Sequence, residues 1–291
     1  MLFAIKIAIA AAALASPLAL TAVLPGNPER EPLALTGFAD IPAKGFRYRL
    51  AGDFSRDGKP ATAPLVEKPL AANLRIMNRQ VTGAEYDHCV NDGACPRLAH
   101  ATSAADRPVV GVSWRDATAY AEWMSKKTGL LHRLPTDEEW TFAAGDKARD
   151  DVLPLMDPAD PAQAWIARYE AEADRARPAA SHPQPTGTFG TNENGLLDVA
   201  GNVWEWTNSC FVRAALGTAG RYQVTNTNCG VRVVQGAHRT YMTDFIRDPR
   251  VGGCATGIPP ANLGFRLVVD VEAGGLHKMV DRAAARLFGS S

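Results

Sequence analysis

The 291-residue chain contains no G-x-G-x-x-G, no phosphate-binding loop, no H-E-x-x-H and no G-x-S-x-G segment. Those absences disfavour the common dinucleotide, nucleotide, zincin and serine-hydrolase designs. Its cysteines include no C-x-x-C pair, so their spacing speaks against a metal–thiolate cluster. Its six histidines are scattered along the chain and do not by themselves make a triad. Neither sign of charge is in excess, with Lys+Arg and Asp+Glu both at 31. No global field therefore favours nucleic acid or a strongly acidic partner, and no nucleic-acid partner is expected.

Glycine and proline are plentiful, at 25 and 20 residues. Together they make about 15% of the chain, above the usual ~12%, which suggests a loop-heavy fold rather than a helical bundle. The one long apolar run is at the start, MLFAIKIAIAAAALASPLALTAVLP, with Lys6 as its single charge. Residues 1–24 read as an export signal, with cleavage after Ala15 or near Ala22. The alternative is a retained N-terminal anchor, because the run from Ile7 to Leu24 reaches the roughly 18-residue threshold despite Pro17. Both readings place the folded part in the periplasm or otherwise outside the cytoplasm, with membrane contact only through this segment if it is uncleaved. All five cysteines follow it, which fits an oxidising compartment. Cys89 and Cys95 bracket VNDGA, where Asp92-Gly93 makes a natural turn. Cys210 and Cys229 bracket a Gly-rich polar excursion and form the next sensible pair, with Cys254 left over. Spacing alone does not prove either pairing.

Residues 25–40 read as a Pro-rich linker, 41–270 as the folded domain and 271–291 as a C-terminal tail. GFRYRLAG (45–52) and LRIMNRQVT (74–82) read as short strands. Thr82 then caps a helical pattern, with Glu85 placed for a capping box. The clearest helix is SWRDATAYAEWMSKKTG: Ser113 caps it, Ala117, Tyr120, Ala121 and Met124 recur at helical spacing, and Gly129 stops it. Tyr120 and Trp123 read as core. Thr136 precedes Asp137, Glu138 and Glu139 at another helix start, where free N–H groups favour acidic side chains, so these read as capping and solvated rather than catalytic. Residues 146–191 read as a polar surface excursion with one helix near 161–174. Beyond NENG the chain reads as turns and short strands rather than βαβ units. In the tail, Leu276, Val280, Ala283 and Leu287 share one side of a peripheral helix, a weak signal for a surface contact.

The densest local signal is GNVWEWTNSC at 201–210, two tryptophans around one glutamate. Read alone it suits a buried aromatic strand, a sugar-binding surface or a metal scaffold. Taken with VSWRDATAYAEWMSKKTGLLHRLPTDEEWTFAAG, NENGLLDVAGNVWEWTNSC, VRVVQGAH and NLGFRLV, it resembles the sulfatase-modifying-factor family, whose founding activity is the formylglycine-generating enzyme. The resemblance runs from about Ile41 to Val269. It implies an α+β fold, an irregular, loop-rich variant of the C-type lectin fold. It also implies a structural calcium ion held by the carboxylates of Asp198 and Glu205 and the carbonyls of Gly201 and Val203, with Asn202 bracing the turn. Hard oxygen ligands suit that ion. A second family calcium site would draw on the stretch around Ala164 to Ile166, which lacks the asparagine needed.

The departure from the family is informative. Its two redox cysteines would fall on Tyr241 and Ile246, neither of which can hold cuprous copper or exchange a disulfide. Formylglycine generation is therefore not expected. Within the superfamily the chain is most similar in flavour to an exported accessory protein encoded beside copper nitrite reductase. That likeness implies an accessory or maturation factor for a periplasmic protein, such as a copper enzyme. The alternative is a metal-dependent oxidative modification of a peptide or protein, with copper or iron left open. Its candidate residues are His238, Arg239, Tyr241, Thr243, Asp244 and Arg247 in the family's catalytic strand and loop. Tyr241 and Asp244 could engage a substrate, and Arg239 or Arg247 a carboxylate.

Overall fold

The computed structural model describes residues 37–70, 72–98, 104–150, 166, 170, 182–243 and 262–270. The apolar N-terminal segment, most of the linker, the C-terminal tail, Asp244, Ile246, Arg247 and Cys254 lie outside these residues. The strands are β1 (Phe38–Ile41), β2 (Gly45–Arg49), β3 (Asp53–Arg56), β4 (Lys59–Ala61), β5 (Leu65–Pro69), β6 (Leu74–Met77), β7 (Leu131–Arg133), β8 (Trp204–Leu216), β9 (Tyr222–Gln235), β10 (Thr240–Thr243), β11 (Leu263–Gly264) and β12 (Val268–Asp270). The helices are α1 (Gly83–Asn91), α2 (Trp114–Thr128) and α3 (Asp137–Ala144). The class is α+β, sheet-rich and heavy in loops. No helix among the described residues is long and apolar enough to cross a membrane.

Helices α1, α2 and α3 each start at a reciprocal capping box, in which a hydroxyl and an acid three residues on satisfy each other's backbone N–H: Thr82 with Glu85, Ser113 with Asp116 and Thr136 with Glu139. Gly129 ends α2 at φ 68°, a left-handed conformation that suits glycine. Tyr120 and Trp123 are core residues as expected; the Tyr120 ring stacks on Tyr86 and meets Phe265 edge-on.

Three sheets organise the rest. One runs in the order β1-β6-β12-β7, a second β10-β9-β8-β3-β4 with β11 parallel to β8, and a third is the β2-β5 ribbon. Residues 38–40, assigned to the linker by composition, instead form β1 and pair with β6, because the adjoining Ile41 is drawn into the core at 3% exposure. That core gathers Leu74 and Ile76 of β6, Trp140 and Phe142 of α3, Leu196, Val199 and Val268. A smaller one joins Tyr48, Leu50, Phe54, Ala63 and Ala214.

The stretch after GNVWEW corrects the expectation of short strands. Strands β8 and β9, 13 and 14 residues long, form one continuous antiparallel hairpin interrupted by register shifts near Cys210 and Ala214. Residues 222–229 are all exposed. With neither face buried they carry no apolar alternation, and the sequence reads as an excursion. Both expected disulfides are present, Cys89–Cys95 and Cys210–Cys229.

Candidate functional site

The two recognisable motifs meet because β11 pairs in parallel with β8, setting Leu263 beside Trp204 and Gly264 beside Glu205. A Cβ on Gly264 would lie 2.6 Å from the Val109 carbonyl, so only glycine allows this approach. The pairing delivers Arg266 to Glu205, both fully buried. Arg266 Nε and Nη2 donate to Glu205 Oε2 and Oε1 at 2.6 and 2.8 Å. Gln80 Nε2 donates to Oε1 at 2.7 Å and Trp140 Nε1 to Oε2 at 2.8 Å. The guanidinium also donates to the carbonyls of Met77 and Leu197. One carboxylate thus ties β8 to α3 and to the segments that follow β11 and β6.

The preceding turn is wound tightly, with Asp198, Ala200 and Asn202 at φ 54°, 59° and 59°. Residues with side chains rarely adopt this region. The turn is held by side chains. Asp198 accepts the N–H groups of Gly187 and Phe189 at 2.6 and 2.7 Å. Asn202 clamps residue 184, taking its N–H at 2.8 Å and giving its own amide to its carbonyl at 2.9 Å. A Cβ on Gly201 would meet Phe189 at 2.9 Å.

Four N–H donors fill the four lone-pair directions of Glu205, and the Arg266 cation already balances its charge. The Gly201 carbonyl accepts from Val203 N–H at 2.7 Å. As arranged, Asp198, Gly201, Val203 and Glu205 do not fit a calcium ion through Glu205 unless the guanidinium is displaced. Among the described residues no cluster of three or more His, Cys, Asp or Glu is placed to hold a metal.

Of the residues expected in the family's catalytic strand, His238, Arg239, Tyr241 and Thr243 are described, and they do not converge. His238 is buried, its Nδ1 2.8 Å from the Arg239 carbonyl and its ring edge-on to Trp204. The Tyr241 hydroxyl accepts the Gly52 N–H at 2.8 Å, and its ring meets Phe211 edge-on. Thr243 Oγ1 is buried with no hydrogen-bond partner among the described residues. Arg239 turns inward: Nη2 lies 3.1 Å from Asp137 Oδ2, with both side chains 1% exposed.

Asp137 is the residue that sequence reasoning undervalued. Besides Arg239 it accepts from the Tyr48 hydroxyl and the Gln235 amide, while its own N–H donates to Ser209 Oγ at 2.9 Å. Burial, reinforced by the Asp137 charge, pushes the Tyr48 hydroxyl far above its ordinary pKa, so it stays a proton donor. The signal available in sequence was Tyr48, an aromatic flanked by arginines in FRYR, but nothing local pairs it with residue 137. The other two acids take ordinary places: Glu138 pairs with Lys68, and Glu139 with Arg133 at 2.7 Å.

Beside this network opens a cleft of about 430 Å³. Its lining includes Arg239 together with Phe46 and Phe142, which are in edge-on contact at 5.1 Å, and Lys44 Nζ lies 5.8 Å over the Phe142 ring. The NENG turn forms one wall. Asn192 donates to the last carbonyls of α3, Ala143 and Ala144, at 2.7 and 3.1 Å, and Glu193 accepts the Asp146 N–H at 2.9 Å. Arg49 is matched by Asp150 at 2.7 Å. Three exposed cations, Lys44, Arg47 and Arg149, line the opening. Arg149 donates only to carbonyls, those of Asp146 and Ala148. The cleft therefore combines aromatic lining with Lys44, Arg47 and Arg149, of which Arg47 lies 3.7 Å from Glu67, and the exposed acids Asp146 and Glu193 share the lining.

Against known proteins, residues 41–271 match the sulfatase-modifying factor enzyme 1-like domain family. The chain is 36% identical over 167 residues to the inactive C-alpha-formylglycine-generating enzyme 2 of Bos taurus, covering 55% of this chain and 49% of that protein. It is 29% identical over 180 residues to the formylglycine-generating enzyme of Streptomyces coelicolor, covering 59% and 55%. It thus spans about half the length of these curated relatives. Among solved structures, PvdO from Pseudomonas aeruginosa superposes with a TM-score of 0.49 at 18% identity, covering 80% of this chain and 94% of that one.

Proposed function

The chain belongs to the sulfatase-modifying-factor family, and we propose that it serves as an exported accessory or maturation factor that holds a polypeptide segment without making formylglycine. The observation that carries this reading is Tyr241. Where the resemblance puts a redox cysteine stands a phenol whose oxygen is bonded to the Gly52 N–H and whose ring is packed on Phe211. That strand position supports the fold here. The expected metal-binding candidates likewise turn to structural partners, His238 to a carbonyl and Glu205 to Arg266.

Binding falls to the cleft. An aromatic or aliphatic side chain fits against Phe46 and Phe142, and a neighbouring carboxylate meets Lys44, Arg47 or Arg149. The partner class is an exported protein with an acidic, partly apolar extended segment; a copper enzyme in its apo form is the candidate carried by the subgroup resemblance. The two disulfides suit an oxidising compartment.

Titration calorimetry with an unstructured peptide of alternating Phe and Glu tests this reading, with a Phe/Gln peptide as control. The acidic peptide binds more tightly, and the Lys44→Glu/Arg149→Glu double variant loses about 1–2 kcal/mol, roughly 5- to 30-fold in Kd. Equal affinity for the two peptides, or an unaffected double variant, removes the cleft from the account. Oxygen uptake with conversion of a cysteine peptide to formylglycine would refute the assignment that no formylglycine is made.

A further inference from the structure

The two described disulfides differ in what governs exchange. Cys89 and Cys95 are 0% and 6% exposed, so an attacking thiolate has no access to them. Cys229 is exposed and Cys210 half-buried, on the outer part of the β8–β9 hairpin. Attack on a disulfide runs along the sulfur–sulfur axis. Cys229 is the more exposed residue of the pair, so attack at its sulfur makes Cys210 Sγ the leaving group.

Arg232 stands at that leaving group. It faces Cys210 across the hairpin, and its Nη1 lies 3.3 Å from Cys210 Sγ. The guanidinium is fixed there. It stacks 3.9 Å over the Trp114 ring, and Nη1 also donates to the Asn208 carbonyl at 3.0 Å. A cation held against a sulfur stabilises the thiolate over the thiol, and a better-stabilised leaving thiolate departs faster.

The strand beside the bridge is open as well. Residues 222–230, YQVTNTNCG, contain no charge and no proline, the devices by which edge strands are usually protected. Among the described residues the outer side of β9 is unpaired until Val231 meets Thr243 of β10. An extended chain can add there as a further strand, bringing its own cysteine to Cys229.

We infer that Cys210–Cys229 is a thiol–disulfide exchange site for an extended polypeptide carrying two cysteines, with Cys229 the sulfur attacked and Arg232 stabilising the Cys210 thiolate that leaves. A substrate thiol gives its proton to water, and its thiolate forms a bond to Cys229 Sγ. The Sγ–Sγ bond breaks and its electron pair goes to Cys210. The substrate's second thiolate then attacks its first sulfur, releasing Cys229 as a thiolate. The substrate loses two electrons and becomes a disulfide, and the protein pair gains them and becomes a dithiol. Oxidised glutathione, as a disulfide co-reactant, restores the bridge by the reverse exchange.

The test uses the full chain. Brief treatment with reduced glutathione, acid quench, alkylation and peptide mapping follow each bridge separately. The Cys210–Cys229 bridge opens first, with glutathione on Cys229 and alkylation on Cys210, while Cys89–Cys95 stays closed. Arg232→Gln slows the opening by roughly 3- to 10-fold, whereas Arg232→Lys keeps the cation and stays within about 2-fold of the parent; melting curves show that each variant is folded. With oxidised glutathione present, a two-cysteine unstructured peptide is oxidised faster with the protein than without it. Equal opening of both bridges, glutathione on Cys210, identical rates in Arg232→Gln and parent, or no acceleration of peptide oxidation would each overturn the assignment. So would trapping a disulfide-linked second copy in place of the peptide. Bridge opening is read with glutathione and peptide mapping, and cleft binding with the cysteine-free Phe/Glu peptide, so failure of the cleft and failure of this site are separable.

Discussion

Replacing Glu205 by glutamine changes almost no volume and removes one charge, yet it should be among the most damaging substitutions in the chain. In the parent, Glu205 receives four N–H donors and neutralises Arg266, with both residues at 0% exposure. Glutamine keeps one acceptor oxygen and turns an NH2 group toward donors that need acceptors. Arg266 keeps the Met77 and Leu197 carbonyls but loses its counter-charge. Breaking a buried pair from one side costs about 3–5 kcal/mol, a large share of the ~5–15 kcal/mol of a typical domain. For a domain of this size the melting temperature should fall by about 6–20 °C. Urea unfolding followed by tryptophan fluorescence gives the difference in free energy. Glu205→Leu, Arg266→Met and the Glu205→Leu/Arg266→Met double variant form a separate thermodynamic cycle with the parent. Because both charges leave together, the double variant should be markedly more stable than the sum of its single variants implies. A loss under about 1 kcal/mol for Glu205→Gln, or simple additivity, would refute the claim that this ion pair ties the sheets together.

Tyr241→Phe should cost about 1–2 kcal/mol, by leaving the Gly52 N–H without its acceptor, and should not reduce acidic-peptide binding; a loss of binding at unchanged stability would make the phenol functional. His132 is held below its ordinary pKa by burial, which outweighs its bond to the Leu130 carbonyl. A depressed pKa means the folded state binds fewer protons, so this contribution is complete above the ordinary value near 6.5 and is lost as pH falls below it. Thermal melting from pH 8 to 5 should show that decline, and His132→Gln should flatten it; an unchanged slope refutes the linkage. Glu139 acts in the same direction at lower pH: burial opposes its ionisation, but Arg133 and the cap N–H outweigh it and lower its pKa. Since Arg266 fills the charge-balancing place at Glu205, adding a calcium chelator should leave the melting temperature unchanged, and a chelator-induced drop would show a cation competing with that guanidinium.

Local chemistry was readable wherever it closes within a few residues. The capping box at Thr82, the helix start at Thr136 and the glycine stop at Gly129 are patterns of neighbours, and each is where the spacing puts it. The short Cys89–Cys95 loop is of the same kind. The class of fold was legible through the family resemblance that several separated motifs carry together. The long hairpin was not, because a strand solvated on both faces has no apolar period. Asp137 was read as a solvated cap for a similar reason. Its partners Tyr48, Gln235 and Arg239 are remote in sequence, and being first in a helix says nothing about what covers that helix.

By itself the chain determined where three of its helices begin, where one of them ends and which family pattern it follows, a resemblance that puts Tyr241 where the family has a redox cysteine. Those properties depend on backbone valence and on residue identity, both written locally. Only the tertiary structure decided what each charge is for. Glu205 meets Arg266 because β11 lies beside β8, and Arg232 meets Cys210 because two strands share a register. Electrostatic worth depends on distance and burial, which chain order does not specify until distant segments are brought together.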